Sequence, residues 1–109
     1  MSILYKNAKT DLTTTNATAV LTPANAATAI IKSILVSEDS GNADTITLTI
    51  TDTASAVFSL FKVKAVGANT TVELLTAPLV LAESEILKAT AATVNRLHIV
   101  VSYMEISYN

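Results

Sequence analysis

The hydrophobic positions of this chain recur with a period of two. In residues 45–51, Thr-Ile-Thr-Leu-Thr-Ile-Thr, every second side chain is apolar and each one between is Thr. Side chains alternate faces along a strand, so Ile46, Leu48 and Ile50 are expected in a core and the threonines outside it. Replacing Leu48 with Asp should then place an unpaired charge in the core and prevent folding. The run before it, residues 29–37, is rich in β-branched residues and ends in Glu38-Asp39-Ser40-Gly41-Asn42-Ala43-Asp44. Together they predict a hairpin with a long loop.

Residues 56–65 read as the next strand, with Phe61 and Val63 inward and Lys62 and Lys64 outward. Gly67-Ala68-Asn69 and Ala77-Pro78 bracket a further short run, and residues 79–81 and 86–90 read as strands after it. The final run, residues 96–108, is long and β-branched, and is expected at the centre of a sheet. Residues 17–22 precede Pro23, and residues 3–6 read as an edge strand. The Ala-containing stretch 23–28 is too short for a stable helix and reads as a connection. Seven or eight short strands separated by turns predict an all-β chain, an antiparallel β-sandwich of jelly-roll type. With 109 residues there is room for one core, so residues 1–109 form one domain.

Composition adds a polar surface of unusual kind. The chain holds 17 Thr, 17 Ala, nine Ser and seven Asn but only 15% charged residues, so hydroxyls and amides carry much of the exterior. The absence of Cys removes disulfides, thiolate metal sites and thiol nucleophiles. Seven basic against nine acidic residues leave no clustered basic footprint beyond Lys62 and Lys64, so nucleic acid is not an expected partner. No signal peptide and no membrane-length apolar run are recognised, which leads to the expectation of synthesis in the cytoplasm with no membrane partner. The sequons at Asn16 and Asn69 come cheaply in a Thr-rich chain and receive no role.

Candidate chemistry is sparse. His98 sits in the last strand with Arg96 and Val100 on its face and no carboxylate fixed beside it by sequence, so it reads as a surface histidine. A His98→Ala variant should therefore lose no turnover. The loop 38–44 gathers oxygen ligands suited to a hard cation but lacks the spacing of a calcium loop, so it reads as a solvated turn. Glu83 and Glu85 stand two apart on one strand side, the arrangement of surface acids rather than of carboxylates flanking a cleft. The two glycines, Gly41 and Gly67, belong to no phosphate loop. Tyr103, Phe58 and Phe61 are assigned to the core or an interface. No catalytic residue, metal ligand or cofactor is expected, and the chain reads as no enzyme.

Residues 20–24 (Val-Leu-Thr-Pro-Ala), 28–37 and 43–50, continued by 68–74, 78–81 and 86–91, resemble small virion structural proteins of tailed bacteriophages over roughly residues 18 to 103. The resemblance implies a β-sandwich in the virion, docked on the major capsid protein or other virion proteins. A head decoration or cement protein is the leading expectation, as a homo-oligomer with a trimer favoured by local three-fold symmetry. A neck or tail ring is the alternative within that family, and a carbohydrate-binding or adhesion sandwich the alternative outside it. Residues 1–12 lie outside the resembling part. They read either as a terminal arm, with Ile3, Leu4 and Tyr5 as interface residues, or as the first strand of the sandwich. The arm reading expects a chain lacking residues 1–12 to stay folded but associate more weakly.

Overall fold

The period-two segments all become strands. In the computed structural model, which describes residues 1–108, they are β1 (Ser2–Leu12), β2 (Thr18–Leu21), β3 (Ala27–Glu38), β4 (Asp44–Thr51), β5 (Val57–Val66), β6 (Thr71–Glu73), β7 (Leu79–Leu81), β8 (Ile86–Ala91) and β9 (Leu97–Ser107). No helix occurs among the described residues. The described residues form nine strands rather than seven or eight, and β1, β3, β5 and β9 have ten to twelve residues each.

The pairings are nested. β4 pairs with β5 at the tip, then β3 with β6 and β7, β2 with β8, and β1 with β9, all antiparallel. This long ribbon wraps on itself when β9 also pairs with β3 and β8 with β4. The result is two sheets, one ordered β1-β9-β3-β6 with β7 also on β3, the other β2-β8-β4-β5. That is the connectivity of a jelly roll in which one edge position is shared by two short strands. β9 is central, as its composition predicts.

Inward residues of the two sheets meet in one core. Leu97, Ile99, Val101 and Tyr103 from β9 face Ile46 and Leu48 from β4 and Leu87, Ala89 and Ala91 from β8, all buried. Ile50 packs half-buried against the same cluster, so all three apolar residues of the Thr-alternating strand point inward. Each fully buried Leu or Ile contributes about 2 kcal/mol relative to exposure.

β3 changes phase midway. Ala27, Ala29 and Ile31 are buried, then Ile34, Val36 and Glu38, because the register with β9 slips between Ile31 and Ser33. Lys32 is the extra residue of this bulge. Glu73 closes the gap: its carboxylate accepts the Ile34 N–H at 2.8 Å and the Ser33 hydroxyl, between the stretches of β3 paired by β7 and β6. Burial pushes the Glu73 carboxyl up, but the Ser33 hydroxyl and the N–H groups of Ile34, Leu75 and Leu74 outweigh it and hold it low.

Two expectations are corrected and one alternative is resolved. Residues 29–37 and 45–51 form no hairpin with each other: β3 and β4 lie in different sheets, and the 38–44 loop crosses between them. Val63 does not point inward; it is 61% exposed, with φ 53°. β5 bulges between the partners of Ile46 and Leu48, and again between those of Leu48 and Thr49, so the alternation predicted for residues 61–64 is lost. Of the two readings of residues 1–12, the chain takes the strand: Ser2 to Leu12 pair residue by residue with Ser107 to Leu97, and Leu12 is buried.

Left-handed turn positions fall on Gly41 (φ 84°) but mostly on other residues, including Asn69, Asn95, Ser55 and Ser84. Asn tolerates this conformation better than most residues because its amide bonds locally, which explains how a chain with two glycines closes so many turns.

Candidate functional site

The 38–44 loop is organised around one carboxylate. Glu38, buried at the end of β3, accepts N–H groups from Ser40 at 2.7 Å and from Gly41, Asn42 and Asn69 at 3.1 Å, and also the Ser40 hydroxyl. The Ser40 hydroxyl is the largest influence on its carboxyl, and with the backbone donors it overcomes the opposing effect of burial and brings the pKa to about 2. Both oxygens are occupied by the loop's own backbone. Asp44 likewise accepts the N–H of Thr45 at 2.8 Å and of Thr93 at 3.1 Å, tying the loop's end to the β8–β9 turn. Among the described residues, no group of three or more His, Asp or Glu is arranged to hold a metal ion.

His98 has carboxylate neighbours that the sequence did not reveal. Asp11 is its register partner on β1 and meets Nδ1, while Asp39, just past β3, lies 3.2 Å from Nε2. The Asp11 contact is the main cause that raises the imidazole pKa; burial opposes it and Asp39 adds to it. Ser37 is the register partner of His98 on β3, so Ser, His and Asp share one row of the sheet. Nε2, the nitrogen a nucleophile would need, is turned to Asp39 instead. The adjoining cleft, lined by Asp11, Leu12, Thr13, Asn95, Leu97 and His98, holds about 180 Å³. That is below the roughly 300 Å³ at which small-molecule sites begin. Asp11 and Asp39 lie 87 and 59 residues from His98 in sequence, so no local spacing could have announced them.

Glu83 and Glu85 do not act as a pair. Glu83 accepts the Ala26 N–H and Glu85 the Ala82 N–H at 2.7 Å, so each ends a turn. Lys62 and Lys64 are exposed on bulged β5.

The most distinctive surface lies at the free end of β1. Going from Leu12 towards the amino terminus, inward-facing residues pass from buried Leu12 through half-buried Thr10 and Ala8 to exposed Lys6 and Leu4. The strand therefore runs out from between the sheets. Glu105, buried on β9, holds Lys6 by an ion pair of 2.8 Å at this mouth and raises the lysine pKa. Beyond it Ile3, Leu4 and Tyr5 are 51%, 50% and 81% exposed. On the outer face the register lines up Ile3 with Ile106, and Tyr5 with Met104, Ile30 and Val80. Tyr108 follows at the same end, also exposed. Ile3 and Tyr5 thus share the outer face with residues the sequence did not single out, while Leu4 lies on the inner face of the same strand end. One signal was present: β9 carries Val100, Met104 and Ile106 between its core residues, and a strand apolar on both faces is one that expects cover on both.

No protein-family model matches the chain, and no curated protein or solved structure is significantly similar to it. The fold and this surface define its class: a jelly-roll β-sandwich with an open, apolar strand edge at one end.

Proposed function

We propose that the chain is a virion structural protein of a tailed bacteriophage, a head decoration or cement protein that attaches to the capsid and to its own copies through the apolar end of the β1 sheet. The observation that carries this reading is the exposure of Ile3, Leu4 and Tyr5 on an edge strand. Contiguous apolar side chains on a small soluble fold favour burial against a partner, at about 25 cal/mol per Å² removed from water. Three further points support it: the resemblance of residues 18 to 103, the jelly-roll connectivity that viral shells use widely, and carboxylates committed to their own loops. The second of these is an analogy of fold, not of site. Glycan stacking on Tyr5 fits less well, because its register neighbours Met104 and Ile30 offer no polar group to orient a sugar.

Quantitative mass spectrometry of purified particles tests the reading. A copy number commensurate with capsomers supports head decoration, and a dozen or fewer copies, about one ring, would move the chain to the neck or tail. Absence from the particle overturns the proposal.

A further inference from the structure

β1 is the outermost strand of its sheet, and its first residues, Met1 to Tyr5, bear no charged side chain. On the side away from β9 its backbone N–H and C=O groups form a row that a second strand can complete. We propose that two copies of this chain join through β1 in an antiparallel, two-fold pairing that sets Leu4 opposite Leu4 of the second copy and Ile3 opposite Tyr5.

The register follows from charge and face. Opposite residues in an antiparallel pair share a face, so the numbers of a two-fold pair must add to an even sum. Registers centred on residues 6, 9 or 11 oppose Lys6, Lys9 or Asp11 to itself, and like charges directly opposite are destabilising. Centring on residue 5 sets Leu4 against Lys6, and centring on 7 or 8 sets Tyr5 against Lys9 or Asp11. Centring on residue 10 would match Lys9 with Asp11, but Asp11 is held by His98 and Leu12 lies in the core. Centring on residue 3 is free of clashes but sets Leu4 against the polar Ser2, where centring on residue 4 sets Leu4 against Leu4 and Ile3 against Tyr5. In this last register Lys6, already neutralised by Glu105, meets only Ser2.

The outer face then becomes continuous across the two-fold axis. Ile106 and Ile3 of one copy run directly into Tyr5 and Met104 of the other, and the same row repeats in reverse. Aromatic and β-branched side chains facing each other across strands are a favourable pairing. Leu4 meets its counterpart on the inner face, where sheet overhang has left it half exposed. The partner is therefore a second copy of this chain. This inference does not rest on the virion reading, which particles test separately.

Sedimentation and site-directed cross-linking of the full chain decide it. The wild type is expected to sediment as a dimer. Tyr5→Glu places a charge in the apolar row on a side chain that is 81% exposed, so it should give a folded monomer that melts like the wild type diluted below its dimerisation constant. The chain has no cysteine, so Leu4→Cys introduces a single thiol. Opposite residues lie about 4.5–5.5 Å apart between Cα atoms, within the roughly 4.4–6.8 Å that a disulfide spans. Leu4→Cys should convert to a covalent dimer on mild oxidation, whereas Val94→Cys, exposed in the β8–β9 turn, should not. A monomeric or trimeric wild type overturns the proposal. So does a dimer in which Leu4→Cys cross-links no faster than Val94→Cys.

Discussion

Two of the outer strands, β1 and β5, end their sheets in opposite ways. β5 is bulged twice against β4, carries Lys62 and Lys64, and holds Val63 at φ 53°, so its edge is kinked and charged. β1 keeps an unbroken register over eleven residues and opens with Ile3, Leu4 and Tyr5. Bulges and lysines are the usual means of keeping a strand edge from recruiting another strand. One edge is blunted and the other is left open, which teaches that the open edge is an asymmetry of the fold and not a general carelessness about edges. The outer faces differ in the same sense. β4 presents Thr45, Thr47, Thr49 and Thr51, while the β1-β9-β3 sheet presents Ile3, Tyr5, Met104 and Ile30.

The largest expected effect removes both edges at once. Leu48 is fully buried opposite Phe61 of β5 and Ala89 of β8. Leu48→Asp buries a charge without a partner and should cost more than about 4 kcal/mol, leaving no cooperative thermal transition. A normal melt would mean that the inward face of β4 is misassigned.

Truncation separates the open edge from the core it grows out of. Removing residues 1–5 takes away only exposed side chains, so the domain should still melt cooperatively, lowered only by what association adds to the whole chain, while association is lost. Removing residues 1–12 also deletes buried Leu12 and uncovers the length of β9. A large core side chain is worth about 2–5 kcal/mol, so this longer deletion should destabilise or unfold the domain rather than merely weaken assembly. Circular dichroism melts of the two truncations, run beside sedimentation, check both halves of the expectation.

Acid and base should loosen different sides of the molecule. Glu38 anchors the loop after β3 to Asn69 beyond β5, and its folded pKa of about 2 lies below the ordinary 4.5. Its contribution is therefore present above pH 4.5 and is lost as the pH falls towards 2. Glu38→Gln should lower stability at neutral pH and flatten the acid limb. His98 joins the inner end of β1 to Asp39, and its pKa is raised above 6.5. That contribution is complete below pH 6.5 and disappears as the pH climbs through the folded value. The pair is partly exposed, so solvent screening keeps it under about 1 kcal/mol. Melting temperature against pH, for the wild type and His98→Ala, should differ below the raised folded pKa and converge on the alkaline side.

The smallest effect concerns the blunted edge. Val63 is exposed and β-branched in the left-handed region, where Asn is better tolerated. Val63→Asn should relieve backbone strain and stabilise the domain by about 0.5 kcal/mol, read as a small rise in melting temperature. A fall would show that the valine side chain makes a contact worth more than the strain.

Legibility in the sequence followed how local each signal was. The Thr-alternating strand, the long final strand and the turns at Gly41 and Ala77-Pro78 could be placed because each depends on neighbours a few residues away. The phase change in β3 was hidden because residues 30–31 and 34–36 are apolar at both parities, so no single alternation stands out. Val63 was misplaced for the complementary reason: the pattern of residues 61–64 alternates cleanly, but the bulges that rotate it are set by pairing with β4. The roles of Glu38, read only as part of a solvated loop, and of Glu73 were hidden, since backbone donors leave no mark in a sequence.

By itself, then, the sequence determined an all-β domain, the inward face of β4, and the absence of thiol chemistry, because strand periodicity and composition are properties of the chain at short range. Only the tertiary structure decided the jelly-roll order, the partners of His98 and the open edge of β1. Lys6 and Glu105 are separated by 99 residues, and Asp11 and His98 by 87. Contacts of that separation are chosen by the closure of the whole ribbon, in which every pairing depends on those nested inside it, and no local window of sequence contains both partners.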